Sequence, residues 1–106
     1  MVSKIKMCDS CEGNTEELPE DKVKEFLKNN EDWKINSKGR LSKEFKFNDF
    51  KETLSFVNKV GKIAEILGHH PDIYFTYGKC TIEIYTHSLN RLSKNDFELA
   101  KKIDGL

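Results

Sequence analysis

The order of hydrophobic patterns along this 106-residue chain predicts an α+β domain, a four-stranded antiparallel sheet with three helices packed on one face, in the order α-β-β-α-β-β-α. Three observations carry the prediction. Two segments repeat apolar residues at steps of three and four, and a third opens with a helix-capping pattern. Between these helical segments lie two pairs of short segments that alternate apolar and polar residues. Each pair is split by a turn that contains glycine, which is how a β-hairpin reads in sequence.

Residues 1–17 are read as a flexible polar arm carrying Cys8-Asp-Ser-Cys11, and residues 18–106 as the folded domain. The first helix begins after Leu18. Pro19 suits a first turn because a helix leaves its first N–H groups unpaired anyway. Glu20 and Asp21 complement the positive end of the helix dipole, and Val23, Phe26 and Leu27 form its apolar stripe. Asn29-Asn30 ends it. Trp33-Lys34-Ile35 then alternates, Ser37-Lys38-Gly39 turns, and Leu41 to Phe47 alternates again.

Asn48 is expected to cap the longest helix, in which Phe50, Leu54, Val57, Val60, Ile63, Ala64 and Leu67 mark one buried face. Pro71 stops that helix, with Gly68 just before a histidine pair. Ile73 to Tyr77 forms the third strand, Gly78-Lys79 the turn, and Cys80, Ile82 and Ile84 the buried side of the fourth. The last helix opens at Ser93-x-x-Asp96, a capping box, with Leu92 placed to staple onto Phe97.

Composition narrows the function. Eighteen basic residues balance eighteen acidic ones, without the basic excess or stripe of a nucleic-acid binder. The apolar runs are too short to span a bilayer, and Met1-Val2-Ser3-Lys4 onward lacks the apolar stretch of a secretory signal. Three cysteines, an odd number, fit a reducing compartment, so a cytoplasmic protein is expected, without membrane or nucleic-acid partners. Cys8 and Cys11 lack both the βαβ context of a redox C-x-x-C and the two further ligands of a structural zinc.

All three histidines, His69, His70 and His87, fall within nineteen residues of chain. If the helix runs to His69, Glu65 and His69 share a face and touch, while His70 diverges by about 100°. His87 lies at the far end of the fourth strand. Two chemistries remain open on these residues. A carboxylate beside an imidazole holds its tautomer for acid/base work near neutral pH. Glu65, His69 and His87 also amount to a His₂Glu set for zinc, although the H-E-x-x-H spacing is absent. Two histidines at a helix end also serve to satisfy its last carbonyls.

The run Glu65-x-x-x-His69-His70-Pro71, followed by Tyr77, Thr86-His87 and Leu92-Ser93-x-x-Asp96, resembles the signature of pterin-4a-carbinolamine dehydratases. The resemblance extends to Trp33, Phe45-x-Phe47-x-Asp49-Phe50, Phe56-Val57, Ala64 and Phe97-x-Leu99-Ala100, and covers residues 18 to 104. It implies the same α+β fold and a 4a-hydroxytetrahydropterin as the small-molecule substrate. The C4a hydroxyl leaves as water while N5 gives up its proton, yielding quinonoid dihydropterin in tetrahydrobiopterin recycling. That chemistry calls for no cofactor and no metal.

By the resemblance, His69 and His87 are the acid/base residues, and His70, Glu65, Pro71, Trp33, Thr86 and Asp96 contribute to substrate binding. On their own terms, Asp96 is also the reciprocal residue of a capping box and Trp33 a core aromatic. Asn90-Arg91 stands where the family often carries glycine, and Ile73 and Gly78 stand in place of Trp and Asn. These departures touch loop contacts and leave the proton-transfer groups intact. A homodimer or homotetramer is expected, because the sheet leaves its edge strands exposed. The alternative to catalysis is a transcription-cofactor-like interaction protein using the helical face.

Overall fold

The computed structural model describes residues 19–86 and 92–106. The arm at 1–17, with Cys8 and Cys11, and the third histidine, His87, lie outside the described residues. Helix α1 (Glu20–Asn29) leads into strands β1 (Lys34–Ile35) and β2 (Leu41–Lys46). Helix α2 (Phe50–Leu67) follows, then strands β3 (Asp72–Thr76) and β4 (Lys79–Ile84), and helix α3 (Lys94–Asp104). This is the order that the sequence patterns predict, in an α+β fold.

The sheet is antiparallel throughout, with strand order β1-β2-β4-β3. The two hairpins therefore join through β2 and β4, which pair with Leu41 opposite Ile84 and Phe45 opposite Cys80. On the far side of β4, Ile73 lies opposite Ile82. Strand side chains alternate between faces, so this register sorts the sheet into an apolar and a polar side. Leu41, Cys80, Ile82 and Ile84 are buried together with Phe26 of α1, Val60 of α2 and Leu99, Ala100 and Ile103 of α3. Each such large side chain taken out of water contributes about 1.5–3 kcal/mol before entropy is subtracted. Ser42, Glu44, Thr81, Glu83, Asp72 and Tyr74 occupy the opposite, open face.

Local signals explain the element ends, with one correction. Asn30 caps α1, its side-chain amide donating to the Phe26 carbonyl at 2.9 Å. Asp49, not the expected Asn48, is the N-cap of α2, accepting from the Glu52 N–H at 2.8 Å. Asn48 instead donates its own N–H to the Glu52 carboxylate. Both residues are good caps, and the extended backbone of Asp49 decides between them. The Gly78 turn packs so tightly on Phe47, just past the end of β2, that a Cβ there would meet its carbonyl oxygen at 2.8 Å. At α3 the capping box is complete, and Leu92 and Phe97 are both buried as a staple requires.

Candidate active site

The C-terminal end of α2, the end of β4 and the N-terminal end of α3 meet around His69. Gly68 sets this up. It terminates α2 in the left-handed conformation, with φ at 68°, a region that glycine enters without a steric penalty. The N–H groups of both Gly68 and His69 then reach the Ala64 carbonyl. The chain turns off the helical spiral at this point, one step before the histidines.

That turn redistributes the partners that helical spacing predicts. His69 points inward and is buried, with its Nε2 at 2.5 Å from Asp96 Oδ1. Its expected contact with Glu65 is not made. The helix stops at Leu67, so His69 leaves the face that Glu65 occupies. Glu65 pairs instead with His70, Nε2 to Oε2 at 2.5 Å, on the surface. Two of the three candidate ligands of a His₂Glu metal site, Glu65 and His69, are thus drawn to different partners.

Asp96 is the centre of the buried group. Besides His69, its carboxylate accepts from the Thr86 hydroxyl at 2.8 Å and from the Ser93 N–H at 2.7 Å. The Thr86 and Ser93 hydroxyls lie 2.7 Å apart. A fully buried carboxylate is tolerated only with donors on both oxygens, and here it has them. Asp96 therefore caps α3 with Oδ2, as the capping box requires, and holds an imidazole with Oδ1. An ionised carboxylate can only accept, so in this contact His69 Nε2 is the donor.

The remaining predicted residues divide. Thr86 belongs to the buried cluster, and Pro71 follows His70 directly and leads into β3. Trp33 lies elsewhere. Its indole is buried and donates to Asp104 at 2.9 Å, eight residues beyond Asp96 on α3 and about 12 Å along the helix axis. Ser93 was predicted only as a cap, yet its hydroxyl closes the Asp96–Thr86 cluster; the S-x-x-D pattern was its signal. The one described cysteine, Cys80, is buried in the core, where burial pushes its thiol up to about 11 and away from nucleophilic use at neutral pH.

The family model for pterin 4 alpha carbinolamine dehydratase matches residues 16–106. A protein of Alkaliphilus metalliredigens, provisionally named a pterin-4-alpha-carbinolamine dehydratase, is 41% identical over 93% of this chain and 90% of its own length. A relative from Legionella pneumophila with the same provisional name is 42% identical over 95% of this chain and 91% of its own. Among solved structures, a transcriptional coactivator/pterin dehydratase from Brucella melitensis superposes with a TM-score of 0.79 at 27% identity, covering 85% of this chain and 97% of that one. A pterin dehydratase-like protein identified as a RuBisCO assembly factor in the alpha-carboxysome shares the fold, at a TM-score of 0.60 and 24% identity over 69% of this chain and 86% of that one. Among the described residues no helix is long and apolar enough to cross a membrane. With nearly its whole length matched, the chain belongs to the pterin 4 alpha carbinolamine dehydratase family.

Proposed function

We propose that the protein is a 4a-carbinolamine dehydratase, acting on a 4a-hydroxytetrahydropterin by histidine acid/base catalysis. The observation that carries this reading is the pairing of both described histidines with carboxylates, His69 with Asp96 and His70 with Glu65, at one corner of the fold. The reaction breaks the C4a–O bond and removes the N5 proton, whose electron pair closes the new double bond to C4a. One group protonates the departing hydroxyl and another accepts the N5 proton. Imidazoles do both near neutral pH, and each such transfer is worth roughly 10²–10⁴-fold. In this reading His69, fixed by Asp96, and the sequence-adjacent neighbour of Thr86, His87, are the proton-transfer residues. His70, with Glu65 behind it, binds the pterin.

The test is the rate at which enzymatically generated 4a-hydroxytetrahydropterin disappears, followed by absorbance, with and without the purified protein. Acceleration is expected, unaffected by a metal chelator. No acceleration at micromolar protein sinks the catalytic reading. The names carried by the two structural neighbours favour one second reading, a partner-binding role, which that outcome leaves standing.

A further inference from the structure

On the open face of the sheet, Arg40 links three segments of the chain. It stands just before β2, where Leu41 lies opposite Ile84, so its side chain points to the polar side near Tyr85. The guanidinium carbon sits 3.8 Å from the centre of the Tyr85 ring. Its Nη1 is 3.1 Å from Glu83 Oε1 and 3.1 Å from Asp72 Oδ2. Glu83 and Asp72 are register partners on β4 and β3. Asn36, from the first hairpin turn, holds the second oxygen of Glu83 at 3.1 Å.

The sequence positions of these partners give the cluster its meaning. Asp72 is the residue after His70-Pro71, where the histidine segment enters β3. Tyr85 is the residue before Thr86, where β4 hands the chain to the Asp96 cluster. Arg40 thus holds the entry of one site segment against the exit of the other, from the face that the helices leave open. Its side chain is three-quarters buried, and the planar guanidinium stacks on one partner while bridging two others, a geometry that lysine cannot reproduce.

We propose that Arg40 is a positioning residue for the dehydratase site, setting the spacing between the His69–His70 segment and the segment that begins at Thr86. The proposal rests on the catalytic reading above for its kinetic consequence. It touches neither substrate nor reacting atoms; it acts through Asp72, Glu83 and Tyr85. Misplacement of a catalytic group by a fraction of an ångström lowers turnover without abolishing binding.

The test is steady-state kinetics of Arg40→Gln, Arg40→Lys and Asp72→Asn, at a temperature well below each variant's melting point. Arg40→Gln is expected to lower kcat by about tenfold with KM changed by less than threefold, and Arg40→Lys to recover only part of the loss. A purely structural arginine lowers the melting temperature and leaves kcat per folded molecule unchanged; that result overturns the proposal. If Arg40→Gln does not fold, Asp72→Asn, which opens only one arm of the bridge, decides in the same way. If the wild type has no dehydratase activity, the catalytic reading fails, and ring ¹H–¹⁵N spectra decide instead. Arg40→Gln is then expected to move the His69 and His70 imidazole signals. Unmoved imidazole signals overturn it.

Discussion

Two carboxylate–imidazole pairs, neighbours along the chain, make the same contact in opposite surroundings. His69 and Asp96 touch through Nε2 in a site where 2% and 0% of their side-chain surfaces meet solvent. His70 and Glu65 touch through the same atom types with 55% and 77% of theirs exposed. The contact alone therefore says little about what each pair does. Water screens the outer pair, competes for its hydrogen bonds and lets both side chains move, so it contributes between zero and about 1 kcal/mol. The inner pair has lost its water, and each polar atom depends on the partner it has been given. The inner pair is suited to holding one geometry and one tautomer. The outer pair is suited to meeting a ligand.

The sharpest way to break this contrast is Asp96→Ala. It strips His69, Thr86 and the Ser93 N–H of their common acceptor and removes half of the capping box on α3. Deleting one member of a buried, hydrogen-bonded pair costs about 3–5 kcal/mol. In a domain of this size each kcal/mol lowers Tm by roughly 4–8 °C. Thermal or urea unfolding is thus expected to show a Tm lowered by well over ten degrees, or a chain that does not fold. A shift of only a few degrees would mean that the Asp96 cluster is wetter and looser than its burial indicates.

Comparing His69→Ala with His70→Ala separates the pairs in two measurements. His69→Ala leaves a cavity and a buried carboxylate short of a partner and, as the deletion of the other member of the same buried pair, is expected to cost about 3–5 kcal/mol. His70→Ala removes a surface side chain and is expected to stay within about 0.5 kcal/mol. On the catalytic reading, His69→Ala also lowers kcat by about 10²–10⁴-fold with a smaller change in KM. His70→Ala mainly raises KM, because a binding residue supports ground state and transition state alike. Equal stability losses in the two variants would erase the distinction between inner and outer pairs.

The elements of the fold were legible in the sequence because they depend on local patterns. Apolar spacing in α2, alternation in β4 and the S-x-x-D opening of α3 each act within a few residues. The histidine pairing was legible only in part. Four-residue spacing predicts Glu65 with His69, and that holds only while the helix continues. Gly68 ends it in a left-handed turn, where a non-glycine residue would be strained by about 1–2 kcal/mol, and the partners move by one. Glycine before the pair was visible; the direction in which it turned the chain was not. His69 and Asp96 lie 27 residues apart, and no local rule joins them. Their contact follows from β4 delivering Thr86 to the start of α3. Trp33 shows the same limit from the other side, since its position in sequence gives no hint that its indole reaches the far end of α3.

The smallest expected effect tests the outer pair by itself. Glu65→Gln keeps the shape of the side chain and a hydrogen-bonding oxygen but removes the charge facing His70. The pair is exposed and its partners are five residues apart across the end of α2, so Coulomb attraction is weak and screened by salt. The expected loss of stability is below about 0.5 kcal/mol at low ionic strength and vanishes near 1 M salt, where the screening length falls to about 3 Å. Urea unfolding of wild type and variant at both salt concentrations measures this. On the catalytic reading the same substitution raises KM modestly and leaves kcat within about twofold, since the charge steadies a binding imidazole and takes no proton from the substrate. A large drop in kcat with unchanged stability would move the acid/base role outward, from the buried His69 to the solvent-facing His70.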